Sequence, residues 1–141
     1  MKPVHILLVE DNEGDIVLTL EAFEETKLTS NISVVRNGQE ALDFIFRRGN
    51  FHNVEKPDLI LLDLNIPVFN GMEVLKEVKL DSVLKKIPVI ILTTSSNEKE
   101  IKMAYELHAN SFVTKPIDMS EFLKTVVSIE EFWIQICKLS N

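Results

Sequence analysis

Cysteine is nearly absent from this sequence: Cys137 is the only one among 141 residues. That excludes an internal disulfide framework and a cysteine-built zinc site, and leaves Cys137 as a small buried or incidental thiol. Long apolar runs are missing too, with none approaching the roughly 18–20 residues a membrane-spanning helix needs. The opening Met1-Lys2-Pro3 leads into a short strand-like run ending in an acidic pair, without the longer apolar stretch and small-residue cleavage site of a secretory signal. A cytoplasmic protein that does not engage membranes is expected. Positive charge is scarce, with 15 Lys and Arg against 22 Asp and Glu and a net charge of −7. A domain that grips nucleic acid by itself is expected to carry a basic face, and here no dense Lys/Arg cluster stands out: the only adjacent lysines are Lys85 and Lys86, just before a strand. Direct nucleic-acid binding is therefore not expected. Repeats, low-complexity segments and linkers are also lacking, and His5, His52 and His108 are too scattered to suggest a metal site.

Five short apolar runs alternate with longer amphipathic stretches. The runs are Val4 to Val9, the weaker Ile32 to Val35, Leu59 to Leu62, Val89 to Leu92 and Phe112 to Thr114. Continuous apolar strands imply burial on both faces, as in a parallel sheet covered by helices. Helices are predicted over Asp15 to Thr26, Gln39 to Arg48, Gly71 to Leu80, Asn97 to Leu107 and Met119 to Leu139. The last carries Phe122, Val126, Ile129, Trp133 and Ile136 at helical spacing, with Asp118 or Ser120 as its cap. Asn37-Gly38 reads as a turn. The alternation predicts an α/β doubly wound fold, a five-stranded parallel sheet with helices on both faces and an extended C-terminal helix. Residues 1–141 read as one domain, with no output domain.

Polar residues stand at the carboxyl ends of four of these strands: Glu10 and Asp11, Asp63, Thr93, and Lys115. In a doubly wound sheet, sites form in the crevice outside those ends. Three clustered carboxylates repel one another unless a divalent cation sits among them, and carboxylates with water suit Mg²⁺ or Mn²⁺. A lysine and a hydroxyl beside an accessible carboxylate describe a phosphoryl acceptor: the carboxylate attacks, and the metal and ammonium neutralise the phosphoryl oxygens. Taken singly, each residue also has a plain reading. Glu10, Asp11 and Asn12 suit a helix cap, Asp63 a strand terminus, Thr93 a strand interior and Lys115-Pro116 a loop; only their joint placement points to chemistry.

The segments Ile6-Leu7-Leu8-Val9-Glu10-Asp11-Asn12, Pro57 to Pro67 with Gly71, Pro88 to Thr94, and Phe112-Val113-Thr114-Lys115-Pro116 together resemble the four signatures of response-regulator receiver domains. The resemblance spans essentially residues 4 to 138. It implies a flavodoxin-like sheet of order 2-1-3-4-5, with Asp63 as phosphoacceptor. It further implies metal ligation by Asp11, Asp63 and the Asn65 carbonyl, with Glu10 holding a metal-bound water. Lys115 would pair with the phosphoryl group through a cis Lys115–Pro116 peptide, and Thr93 would bond a phosphoryl oxygen. Phe112 would be the switching aromatic, working by packing alone because it lacks the hydroxyl of tyrosine. Asn65 and Ser95 occupy positions that tune dephosphorylation. Leu107-His108-Ala109-Asn110 departs from the usual glycine-containing turn. With Ile129-Glu130-Glu131-Phe132-Trp133, it resembles single-domain regulators partnered with phytochrome-type sensor histidine kinases.

The leading expectation is thus a signalling switch that takes phosphate from a sensor histidine kinase and signals through a changed helix 4–strand 5–helix 5 surface to an unknown downstream target. An aspartate-nucleophile phosphohydrolase of the haloacid-dehalogenase type needs a second acid where Asn65 stands. A pseudo-receiver that never carries phosphate is disfavoured by the intact Asp11, Asp63, Thr93 and Lys115. The apolar row near the C-terminus predicts a two-fold homodimer using Tyr105, Phe132 or Trp133, and Ile136.

Overall fold

A computed structural model describes residues 3–24, 30–116 and 118–136. Five parallel strands form one sheet of order β2-β1-β3-β4-β5. The strands are β1 (Val4–Val9), β2 (Ser30–Val35), β3 (Leu59–Leu62), β4 (Val89–Thr93) and β5 (Ser111–Thr114). The helices are α1 (Glu13–Glu24), α2 (Gly38–Ile45), α3 (Gly71–Leu80), α4 (Glu98–Glu106) and α5 (Met119–Glu130). Among the described residues, no helix is long and apolar enough to cross a membrane.

Alternate residues of the central strands feed two separate cores, as a pleat buried on both faces requires. Leu7, Val9, Ile60, Leu62, Val89 and Ile91 meet Leu42 and Ile45 of α2, Val74, Leu75 and Val78 of α3, and Ala104 of α4. On the other face, Ile6, Leu8, Leu59, Leu61, Ile90 and Leu92 meet Ile16 and Phe23 of α1 and Phe122, Val126 and Ile129 of α5. Of the stripe expected on the last helix, Phe122, Val126 and Ile129 are buried and Trp133 is half-buried.

Each helix starts on an Asn or Asp side chain that accepts otherwise unpaired amide hydrogens. Asn12 accepts from Asp15 N at 3.0 Å, Asn37 from Glu40 N at 2.8 Å and Asn70 from Glu73 N at 3.0 Å. Asn97 accepts from Lys99 N and Glu100 N, and Asp118 from Ser120 N and Glu121 N. Asp118, and not Ser120, is thus the cap of α5, and Asn37-Gly38 is a cap with its first helical residue.

Boundaries of α1, α4, β4 and β5 and the start of α2 shift by one or two residues, and the expected end of α1 at Thr26 lies outside the described residues; three differences have a visible cause. β2 begins at Ser30 because, at the sheet edge, its polar residues still pair with Val4 and His5 of β1 without needing an apolar run. α2 stops at Ile45, and Arg47 just beyond it takes a left-handed φ of 57°. The C-terminal helix is not uniform: α5 ends at Glu130 and a single π-helical segment, Glu131–Ile136, follows. The wider winding departs from the regular spacing on which the long-helix expectation rested; the expected end at Leu139 lies outside the described residues. His108, in the place expected to depart from a glycine turn, adopts φ 70°, a conformation histidine tolerates better than most side chains.

Candidate functional site at the carboxyl end of the sheet

Backbone pairing continues past the strands and delivers the polar residues to one crevice. Glu10 N donates to Val35 O at 3.0 Å, Asp63 N to Val9 O at 3.1 Å, and Lys115 N to Thr93 O at 2.6 Å. The loop after Asp63 is pulled tight by Gly71 N donating to Leu64 O at 2.9 Å. A Cβ on Gly71 would lie 2.2 Å from the Asp63 carbonyl oxygen, so only glycine allows α3 to start so close to the strand end.

Glu10, Asp63 and Lys115 are buried, at 3%, 7% and 6% exposure, whereas Asp11 is exposed on the rim. One carboxylate oxygen from each of Glu10, Asp11 and Asp63 lies within 4.8 Å of the others. Three hard oxygen donors, one at the solvent edge, fit a divalent cation that keeps part of its water shell. Glu10 is oriented by its own backbone, its Oε2 accepting from Asp11 N at 3.1 Å and Asn12 N at 3.3 Å. Asp63 Oδ1 accepts from Asn65 N at 3.0 Å.

The Lys115 ammonium closes the cluster. It donates to Glu10 Oε1, to Asp63 Oδ2 at 2.9 Å and to Asp15 Oδ2 at 2.9 Å. Burial disfavours its charge, but the three carboxylates outweigh that and hold the ammonium well above the ordinary lysine value. Burial, with the like charge of Asp63, pushes the Glu10 carboxyl up to about 7 against the pull of Lys115. Burial also works to raise Asp63, yet the Asn65 N–H and the Lys115 ammonium prevail and leave it below the ordinary carboxylate value. Of the two carboxyls, Asp63 is thus the one held toward its ionised form, the state a nucleophile needs.

The remaining residues singled out in the sequence take these places. Thr93 is fully buried at the end of β4, and its Oγ1 lies 3.5 Å from Ser95 N. The Ser95 hydroxyl donates to Glu100 Oε1 at 3.0 Å. Phe112 is half-buried against the α2–α3 core. Tyr105 and Phe132 are exposed, Trp133 is half-buried, and the Phe132 and Trp133 rings meet edge-on at 5.6 Å. A cleft of about 440 Å³ runs beside them, lined by Ser111, Val113, Ile129, Phe132 and Trp133 among others. The Ile136 side chain lies outside the described residues. One expectation fails outright. Among the described residues there is no cis peptide bond, so Lys115–Pro116 is trans, and the ammonium reaches all three carboxylates from that geometry.

Asp15 is the site residue that sequence reasoning missed. An acidic residue in the first turn of a helix reads as a complement to the helix dipole, and nothing local announces a partner 100 residues away. The only available signal is that Asp15 follows Asp11 by about one helical turn, the spacing that brings side chains to the same side.

The response regulator receiver domain profile matches residues 6–127. Response regulator Rcp1 of Synechocystis sp. (strain ATCC 27184 / PCC 6803 / Kazusa) is 41% identical, over 97% of this chain and 93% of its own. The crystal structure of the phosphorylated cyanobacterial phytochrome response regulator RcpA superposes with a TM-score of 0.97 at 43% identity, covering 99% of this chain and 100% of that one. The Mn²⁺-bound form of Rcp1 gives a TM-score of 0.96 at 40% identity, with coverage of 99% and 100%.

Proposed function

Because this chain belongs to the response regulator receiver domain family, we propose that Asp63 is its phosphoacceptor and that phosphorylation there switches one surface of the fold. The family makes it a signalling component of a two-component system, not a conventional enzyme. The observation that carries the assignment is the ionised, buried Asp63 held between Lys115 and two further carboxylates.

In the reaction, an Asp63 oxygen attacks phosphorus. The bond from phosphorus to the donor breaks, its electron pair leaves with the donor group, and an acyl phosphate forms on Asp63. Lys115 exchanges its contact with the Asp63 carboxylate for one with a phosphoryl oxygen and offsets the charge there. Glu10, Asp11 and Asp63, with the Asn65 carbonyl, would hold Mg²⁺ or Mn²⁺, which supplies further neutralisation of phosphoryl charge when bound. This arrangement lets the domain assist its own phosphorylation. Asn65 and Ser95 border the path of the water that removes the group. The donor is a sensor histidine kinase, and its phytochrome type is supported by the likeness to RcpA, a cyanobacterial phytochrome response regulator. The protein acts in the cytoplasm, and its receiver domain takes up residues 6–127.

Thr93 and Phe112 transmit the change to the face formed by α4, β5 and α5. Since Thr93 is already fully buried, its hydroxyl reorients within the core and does not move in from solvent. The same face, with Tyr105, Phe132 and Trp133, pairs two copies of the chain. Analytical ultracentrifugation of wild type and Phe132→Glu at tens of micromolar, about the range of weak interfaces, tests this. A dimer that the substitution dissociates is expected, and a wild type monomeric with and without phosphodonor defeats it.

The acceptor is tested by intact mass after treatment with acetyl phosphate and Mg²⁺. Wild type gains one phosphoryl group and Asp63→Asn gains none. A fully modified Asp63→Asn protein sinks the assignment.

A further inference from the structure

Lys115 has three carboxylate partners, and they are not equivalent. Glu10 and Asp63 belong to the trio converging within 4.8 Å, the set suited to a divalent cation. Asp15 stands outside that trio, with its Oδ2 2.9 Å from the ammonium. It comes from α1, an element that contributes no other side chain to the cluster. It is held firmly: its N–H donates to Asn12 Oδ1 at 3.0 Å, and its carbonyl accepts from the buried Thr19 hydroxyl at 2.7 Å. Its side chain is 27% exposed against 4% for Lys115, so it reaches the ammonium from the solvent side of the crevice.

We propose that Asp15 is a positioning residue for Lys115: it is the anchor that keeps the ammonium beside the acceptor once a divalent cation shares the crevice. The inference rests on the phosphoacceptor reading above. A dication among Glu10, Asp11 and Asp63 repels the nearby ammonium and competes for two of its three partners. Phosphorylation then converts Asp63 from a carboxylate into an acyl phosphate. Through both events Asp15 remains a carboxylate free to hold Lys115. Without it, the lysine's long, flexible stem lets the head swing toward water, and the incoming phosphoryl oxygens lose a placed cation. The alternative is that Asp15 merely complements the α1 dipole, which would alter stability and leave the transfer rate of folded protein untouched.

The test uses the full chain, Mg²⁺ and acetyl phosphate. In the measured step, an Asp63 oxygen bonds to phosphorus, the bond from phosphorus to the acetate oxygen breaks, and acetate leaves with the electron pair. The rate at saturating acetyl phosphate, the Mg²⁺ concentration for half-maximal rate and the melting temperature are measured for each variant. Asp15→Ala is expected to slow the saturated rate about tenfold, as a misplaced catalytic group does, with the Mg²⁺ requirement unchanged. Asp15→Asn should recover most of the rate, since its Oδ1 still accepts from the ammonium. In a Lys115→Met background, Asp15→Ala should add nothing further. A wild-type rate in Asp15→Ala overturns the proposal, as does equal slowing by Asp15→Ala with and without Lys115. A wild type that takes no phosphoryl group at all fails the phosphoacceptor reading itself, and with it this inference.

Discussion

Two lysines tie loops together at opposite ends of the sheet, and their surroundings differ in one respect. At the amino end, Lys79 of α3 donates to Lys85 O at 3.0 Å, Ile87 O at 2.8 Å and Asn110 Oδ1 at 3.1 Å. At the carboxyl end, Lys115 donates to three carboxylates. Desolvation opposes the charge of both. It lowers Lys79, whose partners are neutral, below the ordinary lysine value, and it is overridden at Lys115, whose partners are anions. The neutral partners are fixed pieces of backbone and a side chain that also receives Val89 N at 2.9 Å; they fasten α3 to the start of β4. The anionic partners can trade a lysine for a metal or a phosphoryl group. One lysine is a fastener and the other a movable counter-charge.

The largest effect should come from breaking the movable one. Lys115→Met removes a placed cation from the transfer step and should slow phosphorylation by acetyl phosphate roughly 100-fold or more, the range for losing one preorganised donor. The same substitution leaves Glu10, Asp63 and Asp15 facing one another, so the melting temperature without metal should fall and Mg²⁺ should restore much of it. A melting temperature indifferent to Mg²⁺ would mean the carboxylates do not form one electrostatic unit. Breaking the fastener should give the opposite pattern. Lys79→Met should lower stability in urea unfolding by roughly 1–3 kcal/mol, the scale of losing a charged donor to part-buried carbonyls, while the folded protein phosphorylates at the wild-type rate. Slowed transfer in that variant would erase the distinction between the two lysines.

The smallest effect should appear where the two ends behave alike. Asp81, after α3 at the amino end, accepts from Leu84 N and Val83 N, both at 2.9 Å, and these bonds hold its carboxyl below the ordinary value. Asp118, before α5, is lowered by the Ser120 hydroxyl and then by the Glu121 and Ser120 amides. A depressed carboxyl contributes stability that is fully present above its unfolded pKa, near 3.9 by reference, and is lost as pH falls through the lower folded value. Asp81→Asn and Asp118→Asn should each flatten the acid limb of a melting-temperature profile slightly, and to a similar degree. A flattening confined to neutral pH would contradict the assignment.

The same contrast explains what the sequence made legible. β1, β3, most of β4 and all of α3 announced themselves, because strands buried on both faces must be continuously apolar and α3 has a regular stripe between Asn70 and its last turn. Glu10, Asp11, Asp63, Thr93 and Lys115 were legible because topology sends strand ends to one place. Asp15 was not, since its role depends on a side-chain contact across the fold. Lys79 went unread for the same reason: a lysine near a helix end suits the dipole there, and its bonds to distant carbonyls leave no local trace. The π segment after Glu130 escaped because apolar spacing alone does not distinguish two windings of similar period.

The exposed edge of the sheet carries a last consequence. Among the described residues β5 pairs only with β4, and the outward-facing amide of Phe112 is already occupied, donating to the Tyr105 hydroxyl at 3.0 Å. A visiting strand would have to displace that hydroxyl, so the edge resists being extended into a longer sheet. Binding on this flank therefore falls to side-chain shape and not to main-chain pairing, which reads every sequence alike. Side chains can be exchanged one at a time on the flank while the charged crevice stays as it is. The wiring of such a switch is then free to diverge between descendants that keep the same chemistry.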